Sequence, residues 1–223
     1  MEHSWNGTGH SGTVVEWIFS QYILGTIPET PITVLDLTFG NGTFWDWDHD
    51  EKDVVIVGND AYAEDPGITH QEDFQSTKFI DQCACVVVFD PPFTAGGTSN
   101  KGNPRHLQHY GALRSIAGGP KNIYEVQALL RGGIREACRL SRSYVIVKTQ
   151  DVVESGVLHG SVNLALNTIK KSGFDILLQV RFLPHRRPQP KKRRVTGLGN
   201  QPSVFILAER TPGNRPPDRP TAH

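Results

Sequence analysis

The sequence is poor in cysteine and has no long apolar run, and each lack excludes a class of protein. Its 223 residues include only three cysteines, too few for a disulfide scaffold. With no second cysteine cluster beside Cys83 and Cys85, a zinc site is not expected. No apolar stretch approaches the roughly 20 residues of a membrane span, and the opening MEHSWNGTGHSG lacks the basic and apolar regions of a secretory signal. We therefore expect a protein of the reducing cytoplasm, without a metal and without membrane contact.

The formal net charge is zero, but charges of opposite sign are segregated along the chain. Residues 1–180 hold 13 Lys and Arg against 21 Asp and Glu, whereas residues 181–223 hold 10 against 2. The segment 184–203 carries six of these basic residues, Arg186, Arg187, Lys191, Lys192, Arg193 and Arg194. A basic end of this kind is what a polyanionic partner would contact.

Short apolar runs alternate with amphipathic ones, which predicts an α/β fold. The strand-like runs cover residues 32–37, 53–60, 83–90, 143–150, 175–183 and 203–210. The helix-like runs cover 13–24, 123–141 and 162–173, the last of which closes on Gly173 as a candidate cap. Nearly continuous β-branched runs are typical of strands covered on both faces, so we expect a doubly wound, mostly parallel sheet. The last two strands have no helix between them and should form an antiparallel pair at one edge.

We expect one domain over residues 1–210, followed by a Pro-rich, disordered tail over 211–223. Two segments without apolar periodicity, 94–122 and 184–203, are predicted to be mobile loops that face the substrate. We expect no separate domain for recognising a target sequence.

A Gly-x-Gly turn follows the first long strand, in VLDLTFGNGTF. Gly40 and Gly42 allow a sharp bend and a close approach of backbone to ligand. Asp60 ends the next strand 18 residues past Gly42, a spacing that suits a carboxylate binding a ribose diol. Trp45 holds the place of the third glycine of a dinucleotide motif, and Asp36 would repel a pyrophosphate but suit a cationic or amino-bearing ligand. The turn taken alone fits a nucleotide site or a tight turn without ligand.

The strand VVVF runs directly into Asp90, Pro91, Pro92 and Phe93. Each proline fixes φ near −65° and removes a donor, so the segment is stiff and its carbonyls are acceptors. Acceptors held beside an aromatic face suit a planar group with an exocyclic NH₂, such as adenine or cytosine. The alternative is an ordinary turn that contains two prolines.

TFGNG followed by DPPF resembles the paired motifs of the S-adenosylmethionine-dependent amino-methyltransferases, in a compact orphan form of bacterial or phage type. These enzymes methylate adenine N6 or cytosine N4 in DNA, and relatives act on RNA and protein. The resemblance implies a Rossmann-like class I methyltransferase fold, with a seven-stranded sheet and an antiparallel edge hairpin. It also implies that S-adenosylmethionine is bound by Thr13, Asp36, Thr38, Phe39, Gly40, Asn41, Gly42, Asp60 and Asp73.

By the same resemblance, Asp90, Pro91, Pro92 and Phe93 are the catalytic residues. Asp90 and the Pro91 carbonyl would accept the hydrogens of the exocyclic amine, and Phe93 would stack on a flipped-out base. DNA is the expected partner, with adenine N6 preferred over cytosine N4, in the cytoplasm of a bacterium or a phage-infected cell. Since Phe93 stands where DNA enzymes more often have Tyr, RNA or a protein side chain remains an alternative. So does a catalytically silent nucleic-acid-binding module, and the oligomeric state stays open.

Overall fold

A computed structural model describes residues 2–5, 10–61, 64–93, 120, 122–154, 157–183 and 201–213. Its strands are β1 Glu2–Trp5, β2 Ile32–Asp36, β3 Val54–Asn59, β4 Ile68–His70, β5 Ala84–Phe89, β6 Ser141–Gln150, β7 Val152–Glu154, β8 Val157–His159, β9 Phe174–Phe182 and β10 Ser203–Arg210. Its α-helices are α1 Ser11–Ile18, α2 Ile123–Leu140 and α3 Ser161–Lys171. A π-helical turn, Phe19–Ile23, extends α1, and two 3₁₀ turns cover Thr43–Trp45 and Asp50–Lys52.

Eight of the described strands form one sheet in the order β1-β9-β10-β6-β5-β2-β3-β4. Strands β6, β5, β2, β3 and β4 are parallel, and β10 runs antiparallel to both β6 and β9. The predicted Rossmann-like sheet with its antiparallel hairpin is therefore confirmed. The structure adds an eighth strand, because β1 pairs in parallel with β9 outside the hairpin.

The sheet is covered on both faces, as its apolar strands predicted. Strand β5 is buried at all six positions. One core cluster contains α1 and its π-helical turn, and the other contains α2 and α3. Helix α2 begins after Asn122, whose side chain accepts a hydrogen bond from the Glu125 N–H. This cap satisfies one of the free N–H groups at the helix start, a contribution of about 1 kcal/mol.

Helix α2 packs closely on β5. A Cβ built on Gly133 would overlap the ring of Phe89, so only a glycine fits there. The same helix carries Glu136, whose carboxylate accepts hydrogen bonds from the backbone and hydroxyl of Thr77 and from Arg139. Burial opposes ionisation of Glu136, but these donors prevail and lower its pKa. The segment before β5 is thereby fixed to α2.

Several local features differ from the sequence prediction or lie beyond what is described. The antiparallel pair β7–β8 was not predicted, because each strand has three residues. Gly173 adopts φ +83° just after α3, which confirms the predicted end of this helix. Most of the two predicted loops and of the predicted tail lie outside the described residues, at 94–119, 184–200 and 214–223. Within the described ranges, no helix is both long and apolar enough to cross a membrane.

Candidate active site at the carboxyl edge of the sheet

The two sequence motifs meet at the carboxyl edge of the parallel strands. Strand β2 lies between β3 and β5, so the glycine turn after β2 is next to the DPPF segment after β5. The Leu37 N–H donates to the carbonyl of Val88 at 3.0 Å. The Asp90 N–H then donates to Oγ1 of Thr38 at 2.7 Å. These two hydrogen bonds hold the motifs in fixed relative positions at the edge where open α/β sheets bind their ligands.

The glycine turn is built from two residues in the left-handed region. Gly40 has φ +60° and Gly42 has φ +70°, conformations that cost a residue with a Cβ. The Gly40 N–H donates to Oδ2 of Asp60 at 3.1 Å, and the Phe39 N–H donates to the carbonyl of Asn59 at 3.0 Å. The turn is thus bound to the end of β3 through Asp60, the residue predicted to bind a ribose.

Asp36 is buried beneath this turn. Its Oδ1 accepts from the Thr38 N–H at 3.0 Å and its Oδ2 accepts from Nε1 of Trp45 at 2.8 Å. Burial raises the pKa of Asp36 to about 7; its two donors oppose the rise, and the nearby charges of Asp90 and Asp60 add to it. Each oxygen accepts a bond from the protein itself, so Asp36 organises the turn from below. Trp45, which replaces the third glycine of a dinucleotide motif, supplies one of these bonds.

Phe39 projects sideways from the turn over the ends of β3 and β4. A Cβ built on Gly58 would lie 2.9 Å from Cδ2 of its ring, and one built on Gly67 would lie 2.5 Å from Cζ. The half-buried ring therefore occupies a space that two glycines leave open. The family resemblance implied that Phe39 lies at the cofactor site, but nothing in the sequence indicated that two glycines lie beneath its ring. Asn41, predicted at the same site, is exposed at the tip of the turn.

A buried asparagine connects the same edge to the segment before β5. Nδ2 of Asn59 donates to the carbonyls of Leu37 and Glu72, at 3.2 and 3.0 Å, and its Oδ1 accepts from the Glu72 N–H at 3.0 Å. Asp73, a predicted cofactor residue, follows directly and is exposed. Asn59 thus joins the end of β3 to the segment that carries Asp73. Sequence reasoning did not identify Asn59.

The start of α1 packs against the 3₁₀ turn Thr43–Trp45. A Cβ on Gly12 would lie 2.7 Å from the carbonyl oxygen of Thr43, so a side chain there would separate the two elements. Thr13, the next residue, is half-buried, and its N–H donates to the carbonyl of His10. The predicted cofactor residue Thr13 therefore lies close to the base of the glycine turn.

Asp90 forms an ion pair with a residue that sequence reasoning missed. Nζ of Lys148 donates to Oδ2 of Asp90 at 2.8 Å, and the two side chains are 13% and 22% exposed. The register of β5 and β6 pairs Phe89 with Val147, which makes the two following residues neighbours. Burial raises the pKa of Asp90, and Lys148 opposes that rise. The only sequence signal for this pair is a lysine in the apolar run SYVIVKTQ, near the carboxyl end of a strand.

Aromatic rings surround the same lysine. Nζ of Lys148 is 5.4 Å from the ring centroid of Phe93, and it lies 5.2 and 5.7 Å from the rings of Phe44 and Phe205. These distances allow a favourable interaction between the ammonium and each ring face. Lys148 thus contacts both the acid and the aromatic residue of DPPF.

The structure brings the predicted catalytic residues together beside the glycine turn. Pro91 is buried, whereas Pro92 and Phe93 are half-buried. Within this segment the ring of Phe93 and the carboxylate of Asp90 share a neighbour in Lys148. The predicted phosphate-binding residues all lie outside the described residues: Arg186, Arg187, Lys191, Lys192, Arg193 and Arg194.

No protein-family model and no curated protein matches this sequence. Solved structures match its fold. The 4+2 cyclase SpnF aligns with a TM-score of 0.52 at 11% identity, over 90% of this chain and 81% of its own. Magnesium protoporphyrin IX methyltransferase from Synechocystis PCC 6803, with bound SAH, aligns with a TM-score of 0.50 at 10% identity, over 90% of this chain and 82% of its own. Since one of these proteins is a cyclase, the similarity in fold does not determine which reaction this chain catalyses. What the alignments and the strand order show is the fold, which is the Rossmann-like fold of the class I methyltransferases.

Proposed function

We propose that this protein is an S-adenosylmethionine-dependent methyltransferase that acts on an exocyclic amine of a nucleobase, with adenine N6 in DNA as its substrate. One observation carries the proposal. The DPPF segment is fixed beside the glycine turn by the 2.7 Å hydrogen bond from the Asp90 N–H to Thr38. An acceptor for an amine and a turn suited to a nucleoside are thereby held at one edge of the sheet.

The residues around the turn fit S-adenosylmethionine. Gly40 and Gly42 present backbone without a Cβ, and the Asp60 carboxylate beside them suits the hydroxyls of a ribose. Asp73 is exposed on the segment that follows β4. The methyltransferase from Synechocystis with the same fold holds SAH, the demethylated form of this cofactor. When bound, the cofactor supplies a methyl group on a positively charged sulfur, which suits an edge rich in carboxylates.

The DPPF segment would bind the amine that accepts the methyl group. An exocyclic amine is a weak nucleophile because its lone pair is delocalised into the ring. Asp90 and the Pro91 carbonyl, by accepting the two hydrogens, favour a pyramidal nitrogen whose lone pair points away from them. In this proposal the carboxylate of Asp90 also takes the proton that the nitrogen loses as it is methylated. Positioning supplies much of the rate of such a transfer.

Phe93 is the surface on which a base would stack. Its half-buried ring follows the two prolines, which restrict the backbone that carries it. A base in a duplex has to be flipped out to reach Asp90, at a cost of a few kcal/mol that stacking on an aromatic ring partly offsets. A nucleobase can stack its whole planar face on such a ring, so the ring favours a nucleobase.

The segregation of charge favours a nucleic acid over a small molecule or a protein. The segment 181–223 holds 10 basic against 2 acidic residues, and it includes β10, which pairs with the strand of Lys148. Lysines and arginines in such a segment bind phosphates independently of sequence. DNA is the acceptor we favour, and structured RNA is the alternative on the same site.

The test is transfer of label from methyl-labelled S-adenosylmethionine to duplex DNA, total RNA and protein extract, assayed in parallel. Labelled nucleosides are then identified by mass. N6-methyladenine in DNA is the expected product. N4-methylcytosine, or label in RNA or protein, would show that methyl transfer is proposed correctly but that the substrate is a different one. Cofactor binding without label in any arm would contradict the proposal and favour a silent nucleic-acid-binding module.

A further inference from the structure

Lys148 is a charged residue among aromatic rings, next to the DPPF segment that would bind the methyl acceptor. Its side chain is 13% exposed, and its Nζ lies within 5.7 Å of the ring centroids of Phe44, Phe93 and Phe205. An ammonium in such a place is costly unless it is paired. Its partner is Oδ2 of Asp90, at 2.8 Å. Each of these two largely buried charges is therefore stabilised by the other.

Burial opposes the ionisation of Asp90. The neighbouring strand β2 ends in the buried carboxyl of Asp36, and Asp60 follows β3 next to it. From β10 and the first 3₁₀ turn, the side chains that face the pair are the uncharged rings of two phenylalanines. Among the described residues, the cation that forms a hydrogen bond and an ion pair with Asp90 is thus Lys148.

We infer that Lys148 is a positioning residue that keeps Asp90 ionised and restricts the site to uncharged amines. This inference rests on the proposed function and deepens it. The hydrogen bond to Oδ2 fixes the rotation of the carboxylate, so the acceptor geometry for the amine is set before the substrate binds. The ammonium also offsets the negative charge of Asp90 at hydrogen-bond distance.

The paired charges of Asp90 and Lys148 influence which methyl acceptors can bind at the site. Because the ammonium of Lys148 offsets the charge of Asp90, a cationic lysine or arginine side chain would gain no net attraction from the carboxylate and would meet the ammonium at close range. Adenine, cytosine and a carboxamide are uncharged and meet no such repulsion. As the nitrogen–methyl bond forms and the sulfur–methyl bond breaks, positive charge develops on the nitrogen, which is relieved by loss of a proton. The ionised Asp90 takes that proton, which a protonated carboxyl could not do.

The first test needs no activity. Titration of the Asp90 carboxyl is followed by NMR of protein labelled with ¹³C at aspartate carboxyls, with Asp90→Asn to assign the signal. In Lys148→Met the titration midpoint should rise by about one to three pH units relative to the wild type. Lys148→Arg keeps the charge and should titrate near the wild type. Lys170→Met, the same change at an exposed lysine of α3, is the matched control and should leave the midpoint unchanged.

The second test uses the transfer reaction on DNA. The acidic limb of the kcat profile should move to higher pH in Lys148→Met by the same amount as the NMR midpoint, while KM for the cofactor stays within about twofold. An unchanged Asp90 midpoint in a folded Lys148→Met protein would overturn the inference. If Lys148→Met does not fold, a Lys148→Arg midpoint far from the wild type would overturn it. A wild type without transfer would contradict the proposed function alone, because the NMR titration is independent of activity.

Discussion

The hydroxyl of Thr38 accepts a 2.7 Å hydrogen bond from the backbone N–H of Asp90, across 52 residues of sequence. This bond joins the glycine turn to the DPPF segment. The Thr38 N–H is in turn held by Asp36, so the contact rests on a buried carboxyl. A cofactor at the turn and an amine at Asp90 would therefore keep their relative positions without a moving element.

We expect Thr38→Val to slow methyl transfer more than it weakens cofactor binding. Valine has nearly the same shape but leaves the Asp90 N–H without its acceptor, a cost of about 1–3 kcal/mol. The DPPF segment should shift, and kcat should fall about tenfold or more. Thr38→Ser keeps the hydroxyl and is the control. Equal kcat values for the valine and serine variants would show that the bond does not position Asp90.

Asp90→Ala should reduce transfer by about a hundredfold or more, because the nitrogen loses its hydrogen-bond acceptor and its proton acceptor. Binding of S-adenosylmethionine, measured by calorimetry, should stay near the wild-type value. Lys148 would lose its partner, so Asp90→Asn, which can keep a hydrogen bond, separates loss of chemistry from loss of folding. Loss of cofactor binding in the asparagine variant would contradict the role assigned to Asp90.

The two adjacent glycines of α2 should respond in opposite ways to alanine. Gly133→Ala places a methyl group against the ring of Phe89, and we expect a loss of about 1–3 kcal/mol in the free energy of unfolding. At Gly132 the nearest atom is the end of the exposed Gln75 side chain, at 3.0 Å. Gly132→Ala should be neutral or stabilising by up to about 1 kcal/mol, since alanine favours helix. Denaturant unfolding measures both, and a similar loss in both variants would refute the close packing of α2 on β5.

Asp36 should make the protein less stable as pH rises toward neutrality. Its pKa is about 7 in the folded state and about 3.9 when unfolded. Between these values the folded state holds the proton that the unfolded state has lost. Stability therefore falls with rising pH across this window, by up to about 1.4 kcal/mol per pH unit from this group.

Asp36→Asn removes that dependence. The variant should be less stable at low pH, because its NH₂ meets one of the two donors from which Asp36 accepts. Its deficit relative to the wild type should then shrink between about pH 4 and pH 7, as measured by denaturant unfolding at each pH. Asp46→Asn, the same change at an exposed aspartate, is the control and should keep the wild-type dependence. Parallel stability curves for wild type and Asp36→Asn would contradict the raised pKa.

Replacing Lys191, Lys192, Arg193 and Arg194 by glutamine should weaken DNA binding at low salt. The slope of log K against log salt should become shallower by about 0.9 for each phosphate that the variant no longer neutralises. Lys170 and Lys171 are exposed on α3, and their replacement by glutamine is the control for a general loss of positive charge. An unchanged slope in the fourfold variant would show that this segment does not bind phosphates.

The sequence predicted the bounds of the longer strands best. The strands predicted from apolar runs all lie within two residues of their predicted bounds, namely β2, β3, β5, β6, β9 and β10. The reason is clearest in β5, which is buried at every position and is therefore apolar throughout. Strands of three or four residues, such as β1 and β7, carry too few side chains to show a period. The glycine turn and DPPF were visible for a different reason, since glycine and proline act on the backbone locally.

The contacts that complete the candidate site could not be predicted in this way. Lys148 lies 58 residues from Asp90, and a lone lysine near a strand end ordinarily keeps its ammonium in water. Asn59 and Trp45 support the turn through hydrogen bonds whose partners depend on how β2, β3 and β5 are paired. Such partners follow from tertiary structure, and a single sequence does not specify them.

Strand β1 bears on the behaviour of the protein at high concentration. It pairs with the nine-residue strand β9 from Glu2 opposite Gln179 to Trp5 opposite Phe182. Within the described part of the chain, the outermost strands of the sheet are thus four and three residues long, and short edges offer little template for edge-to-edge aggregation between molecules. Removing Glu2–Trp5 would leave the nine-residue strand β9 with an unpaired backbone edge, which another molecule could pair with.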